Sequence, residues 1–155
     1  MRRHCRGFTL LELMIVIVLI GVLLGMVSFA TGPSPVRQAR QEADALVRMI
    51  HQLRERAVLA GQEHGLRLSV DGYRAMRLEG RGWEPVTALY RWPENLRLRL
   101  EQDGHTVHLG ADEGPPQLLI LSSDETSAFI LTFATREATW LSLSSDGIGE
   151  PVIDG

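Results

Sequence analysis

Glu12 is the residue most clearly suited to a chemical role, because it is the only charged side chain in the apolar stretch from Phe8 to Ala30. The segment from Leu13 to Val27 contains no polar side chain. A charge near the middle of a bilayer costs about 2.5–3.5 kcal/mol on insertion scales, and such a residue usually has a partner. Glu12 also lies only about one helical turn from Phe8, where it could reach the headgroups and be tolerated alone. The residues by themselves leave both interpretations open.

The histidines and serines of the chain do not form a recognisable catalytic pattern. His105 and His108 are three residues apart on a predicted strand, so they face opposite sides and do not share a metal ion. We interpret them as surface histidines. Ser122 and Asp124 lie close together, but no strand–turn–helix nucleophile elbow surrounds them, and a capped turn between strands is the better interpretation.

Two acidic pairs are the remaining candidates for a metal site. They are Asp112–Glu113 and Asp124–Glu125, and neither has the spacing of a calcium-binding loop. The tryptophans are interpreted as core or sheet-edge residues. The sequence therefore predicts no catalytic residue, no metal site and no cofactor, and we expect that the protein is not an enzyme.

The stretch 8–30 must position Glu12, and it is predicted to be a transmembrane helix. Its 23 residues reach about 35 Å as a helix, which is enough for a bilayer core of about 30 Å. Basic residues stay on the cytoplasmic side, so Arg2, Arg3 and Arg6 predict that the rest of the chain lies across the membrane. Gly21 and Gly25 form a G-x-x-x-G pattern that allows close helix packing, although glycine is common in membrane helices anyway.

Residues 1–7 form a short basic segment that differs from the rest of the chain. The formal net charge of −3 becomes −6 without its three arginines, so the remaining protein is mildly acidic. No basic stripe is present, which argues against nucleic acid as a partner. The only cysteine is Cys5, so the chain after this segment has neither a disulfide nor a cysteine nucleophile.

Residues 31–35 interrupt the apolar stretch and lead into a second predicted helix. Ser34 is suited to cap that helix, with Pro35 at its first position. From about 36 to 60 the apolar residues recur at helical spacing, which predicts an amphipathic spine helix that ends at Gly61.

Short alternating strands follow from about 65 to 145, separated by Asp-Gly turns that are typical of hairpins. The fully apolar run from Leu118 to Leu121 is predicted to be a central strand, and the chain after Asp146–Gly147 is predicted to be a loose tail. The fold class is therefore α+β: a long N-terminal helix packed on antiparallel β-sheet in a domain that covers 36–155.

The N-terminal residues R-G-F-T-L-L-E-L-M-I-V-I closely resemble the class III signal of type IV prepilins and pseudopilins. This resemblance implies a pilin-like fold and cleavage after Gly7 by prepilin peptidase, which also methylates the new N-terminal residue, Phe8. Residues 1–7 are then the prepilin leader, and Glu12 is the family's glutamate at the fifth mature position. A carboxylate in one subunit can meet the Phe8 amine of its neighbour, so that each charge offsets the other's desolvation and fixes the register.

A second resemblance lies further along the chain. The segments A-R-Q-E-A-D-A-L-V-R-M-I and Q-L-L-I-L-S-S-D-E-T-S-A-F-I-L-T-F resemble H-type minor pseudopilins of the type II secretion system. The chain departs from that family at Asp124, where glycine is expected, and at Ala128, where proline is expected.

The second resemblance implies a structural subunit of a pseudopilus that exports folded proteins across the outer membrane. Its implied partners are prepilin peptidase, the other major and minor pseudopilins and the inner-membrane assembly platform. The implied location is the inner membrane of a Gram-negative bacterium, with a short cytoplasmic N-terminus and a periplasmic domain.

Two alternatives stay open on the sequence. A minor pilin of a type IV pilus would share this domain, although the chain has neither the C-terminal disulfide nor the basic tail that many such pilins carry. The other alternative is a membrane-anchored periplasmic enzyme.

Overall fold

The computed structural model describes residues 9–30, 34–135 and 138–155, and for residues 24–30 it describes the helical backbone. The chain divides into two compact units, Met1–Ser34 and Pro35–Gly155. Each unit is treated separately below.

The first unit contains one helix, α1, which spans Leu10–Ala30. The prediction of a helix in this stretch is confirmed, with its start two residues later than Phe8. The apolar residues from Leu13 to Leu23 lie on all sides of this helix. Within the residues that the structure describes, no helix is both long and apolar enough to cross a membrane.

The second unit begins with α2, which spans Pro35–Ala60 and has proline as its first residue. Its small and branched apolar side chains face the core at helical spacing: Ala39, Ala43, Leu46, Ile50, Leu53 and Ala57. The helix ends where Gly61 adopts a left-handed φ of 61°. The N–H of Gln62 then donates to the carbonyl of Ala57 at 3.1 Å, which is the Schellman arrangement at a helix C-terminus.

Among the described residues, ten strands follow α2 and form two antiparallel sheets. The strands are β1 His64–Leu68, β2 Gly72–Glu79, β3 Gly82–Pro85, β4 Tyr90–Arg91, β5 Arg97–Gln102, β6 His105–Val107, β7 Leu118–Ile120, β8 Phe129–Ala134, β9 Thr139–Ser145 and β10 Val152–Asp154. The first sheet has the order β3-β2-β1-β7, with β4 also paired to β2, and the second has the order β10-β9-β8-β5-β6. The predicted α+β fold class is confirmed among the described residues, with two sheets of five strands each.

The core lies between α2 and the two sheets, because α2 packs against β1 and β7 of the first sheet and β9 of the second. An aromatic row crosses this core. Tyr73 and Trp92 have ring centroids 4.7 Å apart, and Trp92 meets Phe133 edge-on at 6.4 Å. The indole N–H of Trp92 donates to the carbonyl of Ser69 at 3.0 Å, so burial leaves this polar atom satisfied.

The prediction that Leu118–Leu121 forms a central strand is wrong. Strand β7 ends the first sheet, and its middle residue, Leu119, is 37% exposed. The turn that follows covers the open edge, since Ser127 N–H donates to the Leu119 carbonyl at 2.9 Å. The Ser127 hydroxyl accepts from the Leu119 N–H at the same distance. An apolar run indicates burial of alternate residues here, and it does not distinguish a central strand from a covered edge.

The prediction of a loose C-terminal tail is also wrong. Residues Val152–Asp154 pair with Ser142–Ser144 of β9 as β10. This strand is three residues long, and its place is fixed by backbone pairing with β9, which has no signature in the local sequence.

Candidate functional site

The predicted site residues lie at the start of the chain and along α1. Gly7 and Phe8, the predicted cleavage and methylation positions, lie outside the described residues. Glu12, Gly21 and Gly25 all lie in α1. The structure therefore describes the predicted assembly residues but not the predicted processing site.

Thr9 caps the helix that carries Glu12. The Thr9 carbonyl accepts from the N–H groups of Glu12, at 3.0 Å, and Leu13, at 3.2 Å. The Thr9 hydroxyl also accepts from the Glu12 N–H, at 3.3 Å. Glu12 is thus the third residue of the helix, where a carboxylate is favoured by the helix dipole.

Sequence reasoning missed the role of Thr9, although a signal was present. Thr9 and Glu12 have the T-x-x-E spacing of a capping box immediately before an apolar run. The cap, Thr9, fixes the helix start at Leu10, two residues after Phe8. Glu12 therefore projects from the first turn, one turn away from the predicted new N-terminus.

The described side chains of α1, Leu10 to Leu23, are all exposed. Among the large apolar ones the exposed fraction is highest at Leu10, 80%, and lowest at Val16, 42%. A Cβ atom placed on Gly21 would meet no atom within 4 Å, so this side of the helix is open to a neighbouring backbone. Gly25 lies one turn further on, in the part of α1 for which only the backbone is described. An exposed apolar helix of this kind requires cover from lipid or from other helices.

Two of the four acidic residues that were considered as calcium ligands, Asp112 and Asp124, are engaged with arginines instead. Asp112 accepts from Arg67 Nε at 2.7 Å through one oxygen, and its other oxygen pairs with Arg74. Arg67 also donates to the carbonyl of Gly114 at 2.6 Å, which ties the loop before β7 to the first sheet. Among the described residues, no group of three or more histidine, cysteine, aspartate or glutamate side chains is arranged to hold a metal ion.

Ser122 is part of a turn, as predicted, and not of a nucleophile elbow. Its hydroxyl donates to Glu63 Oε1 at 2.8 Å, and its N–H donates to Glu63 Oε2 at 3.1 Å. The carboxylate of Glu63 therefore caps this turn. His105 and His108 are both exposed on the second sheet and its following loop, which fits surface histidines.

Arg54 of α2 is a connecting residue that sequence reasoning did not single out. Its guanidinium donates to the Asp124 side chain at 2.9 Å and to the Asp124 carbonyl at 3.0 Å. It also donates to the carbonyls of Ile148, at 3.2 Å, and Gly149, at 3.1 Å. Arg54 thus joins α2 to the turns on either side of β8 and β9. No local sequence pattern marks a contact across 70 residues.

Comparisons with known proteins identify the family. The model of the prokaryotic N-terminal methylation motif matches residues 2–28. The type II secretion system protein H of Pseudomonas aeruginosa is 42% identical over 167 aligned positions, which cover 98% of this chain and 97% of the relative. The chain belongs to the type II secretion system protein H family. The proteins of the same name from Aeromonas hydrophila, 28% identical over 88% of the chain, and Klebsiella pneumoniae, 30% identical over 94%, agree with this assignment.

Solved structures of the protein H family have the same fold. The minor pseudopilin EpsH from the type II secretion system of Vibrio cholerae superposes with a TM-score of 0.66 and 27% identity, over 79% of this chain and 98% of that chain. The solution structure of Escherichia coli GspH gives a TM-score of 0.62 at 23% identity, over 76% of this chain and 88% of that chain, and supports the fold alone.

The protein is therefore a minor pseudopilin of a type II secretion system, and the resemblance to the H-type family is confirmed. The alternative of a type IV pilus subunit is not favoured by these relatives. The relatives are named as proteins of the type II secretion system, and pseudopilins of that system are anchored in the membrane through the N-terminal motif.

Proposed function

We propose that this minor pseudopilin is a structural subunit of a periplasmic pseudopilus that drives folded proteins across the outer membrane. The observation that carries the proposal is the exposed apolar surface of α1, with one carboxylate in its first turn and an open glycine at position 21. A soluble protein would bury this surface, whereas lipid covers it before assembly and neighbouring helices cover it afterwards.

Prepilin peptidase cuts between Gly7 and Phe8 and methylates Phe8 in this proposal. Residues 8–30 then form a single transmembrane helix in the inner membrane, and residues 31–35 form the linker to the domain at 36–155. The leader is cytoplasmic and the domain is periplasmic. The basic leader supports this orientation, since arginines are retained on the cytoplasmic side.

Glu12 forms the assembly contact in this proposal. A neighbouring subunit's Phe8 amine is the partner that offsets its desolvation, and a wrong axial stagger leaves both charges unpaired. Gly21 and Gly25 allow two helix backbones to approach closely. The remaining partners are the other major and minor pseudopilins and the inner-membrane assembly platform.

We propose no enzymatic activity for this subunit. The acidic side chains that could have served chemistry are engaged in structure: Asp112 with Arg67, and Glu63 with Ser122. A cofactor has no role in the proposed mechanism, because the subunit acts through helix packing and charge pairing.

Deletion of this subunit from the host of its own secretion system tests the proposal. The exported proteins are expected to accumulate in the periplasm, and the full chain supplied in trans is expected to restore their release. Release that is unchanged by the deletion, with the other components intact, would contradict the proposed role.

A further inference from the structure

The loop 146–151, between β9 and β10, presents one large apolar side chain to solvent. Ile148 is 76% exposed, although the rest of the loop is held by hydrogen bonds. In the second unit, Pro35–Gly155, which we call the globular unit, only one described large apolar residue has a higher exposed fraction. It is Leu59 at the end of α2, at 79%.

The loop is held in one conformation from inside. Asp146 Oδ1 accepts from the N–H groups of Ile148, at 3.0 Å, and Gly149, at 2.7 Å. These two N–H groups lower the pKa of Asp146, so the carboxylate stays ionised and keeps both bonds. The Gly147 N–H donates to Ser145 Oγ at 3.2 Å.

The loop is also held from the neighbouring elements. The carbonyl of Gly147 accepts from the N–H of Thr126 at 2.7 Å, and Gly147 has a φ of 93° that side chains rarely adopt. Arg54 of α2 donates to the carbonyls of Ile148 and Gly149. These bonds already fix the backbone of the loop, so a partner protein that binds at Ile148 would have to order the loop little further.

Carboxylates surround Ile148 on both sides. One groove beside it is lined by Glu55, Asp124 and Glu150, and the groove on the other side is lined by Glu125 and Asp146. All five are exposed. Two basic residues, His51 and Arg54, line the first of these grooves, and Arg54 has a side chain only 12% exposed that already pairs with Asp124.

We propose that Ile148 and this acidic rim form a docking site for a neighbouring pseudopilin that presents an apolar pocket bordered by lysine or arginine. The site has the anatomy of a protein interface, with a central apolar anchor inside a polar border. Asp124 already pairs with Arg54, and the other four carboxylates of the rim favour a cationic partner surface, because a neutral or acidic surface would leave them desolvated or repelled. The inference rests on the proposed function for the class of partner.

Crosslinking in cells with the full chain tests this docking site. A photo-crosslinking amino acid is placed at position 119, because Leu119 lines the groove beside Ile148 and is itself partly exposed. The expected product joins this chain to a different subunit that carries a prepilin leader, identified by mass spectrometry. Ile148→Arg is expected to lower its yield about tenfold, whereas Ile148→Leu is expected to retain it.

Two further variants separate docking from folding. Val70→Arg is the matched control, because Val70 is 62% exposed on the turn between β1 and β2 and lies outside both grooves. It is expected to crosslink as wild type does. The double variant Glu55→Lys with Glu150→Lys leaves Ile148 in place and is expected to lower the yield about as much as Ile148→Arg.

Several outcomes would overturn the docking site. They are a crosslink only to a second copy of this chain, a crosslink only to an exported protein, and equal yields from wild type and Ile148→Arg. Deletion of the subunit keeps these outcomes distinct from failure of the proposed function. If deletion stops release but Ile148→Arg leaves crosslinking unchanged, the docking site alone is wrong.

Discussion

The guanidinium of Arg54 holds Asp124 at two points, its side-chain oxygen at 2.9 Å and its backbone carbonyl at 3.0 Å. Asp124 has a φ of 72°, in the left-handed region where glycine is favoured. This is the position at which the protein H resemblance leads one to expect glycine. Aspartate tolerates that conformation better than most residues, and here its side chain also reaches an arginine on α2.

Substitution of Asp124 should separate the backbone effect from the ion pair. Asp124→Ala is expected to destabilise the globular unit by about 2 kcal/mol, because it loses a partly exposed ion pair and replaces aspartate with a residue that tolerates left-handed backbone less well. Asp124→Gly loses the same pair but relieves the backbone, so its loss should stay below about 1 kcal/mol. Urea unfolding of both variants measures the difference. Equal losses would show that the left-handed backbone contributes nothing.

The unit Pro35–Gly155 is expected to fold without α1, because α2 and both sheets supply one core. Leu46 is 1% exposed within that core. Leu46→Asp buries an unpaired charge and should cost several kcal/mol, enough to unfold the unit. Val36→Asp is the control, since Val36 is exposed in the first turn of α2, where a carboxylate is favoured. Circular dichroism of the isolated unit measures whether wild type and each variant are folded. If the isolated wild-type unit is unfolded, the predicted domain boundary is wrong.

Tyr73 should make the globular unit sensitive to alkaline pH. Burial raises the pKa of Tyr73 to about 12, and the nearby charge of Glu42 adds to the effect. An unfolded tyrosine has a pKa of about 10. Because the folded pKa is the higher one, the stabilisation is complete below about pH 10 and is lost as the pH rises toward 12. Tyr73→Phe should remove this part of the alkaline loss of stability, measured as urea midpoints. Tyr90→Phe should reduce it only in part, because Tyr90 is one of the smaller electrostatic causes of the raised pKa of Tyr73. If the stability of wild type and of Tyr73→Phe depended on pH in the same way, the prediction for Tyr73 would be wrong.

The elements with local signals were predictable from sequence, and those fixed by distant contacts were not. The periodic stripe from Ala39 to Ala57 identified α2, because every third or fourth residue meets the core. Asp103–Gly104 identified the turn between β5 and β6, where both residues have a positive φ, of 51° and 76°. Strand β10 and the edge position of β7 depend on which strands pair, which no local pattern specifies.

The candidate sites divide in the same way. Glu12 could be singled out because a single charge in an apolar run is visible in the sequence, and its role in assembly stays a prediction. Arg54 and Asp124 could not be paired from sequence, because 70 residues separate them and charged residues are common on helix faces. Ile148 was also missed, since one apolar residue in a loop becomes informative only when its exposure and its neighbours are known.

Processing at Gly7–Phe8 is expected to depend on a small residue before the cut. Gly7→Val should leave the full precursor in the membrane, because a branched side chain obstructs the peptidase active site. Mass spectrometry of the wild-type chain should find methylated Phe8 at its N-terminus. Gly21→Ala is the control, because it changes a glycine far from the cut and should be cleaved normally. An intact Met1, or a chain that starts near Ala30, would disprove the predicted leader.

Glu12 is expected to act in assembly and not in folding. The Thr9 carbonyl and hydroxyl bond to the backbone N–H of Glu12, so Glu12→Ala keeps both bonds and the helix should still begin at the same residue. What the variant removes is the carboxylate, which leaves a neighbour's Phe8 amine unpaired at a cost of roughly 3–5 kcal/mol in a low-dielectric site. Because about 1.4 kcal/mol corresponds to a factor of ten, the association between the two neighbouring subunits should weaken at least a hundredfold.

The same variant should leave processing and the globular unit unchanged, because neither the cut bond nor a core residue is altered. Crosslinking to neighbouring subunits and release of exported proteins should both fall at matched expression. Thr9→Ala supplies the complementary control: it removes the hydroxyl of the cap, at about 1 kcal/mol, but retains the charge pair. If Glu12→Ala and Thr9→Ala reduce crosslinking equally, Glu12 contributes to the helix start alone. If neither reduces it, Glu12 is a carboxylate tolerated at the membrane surface.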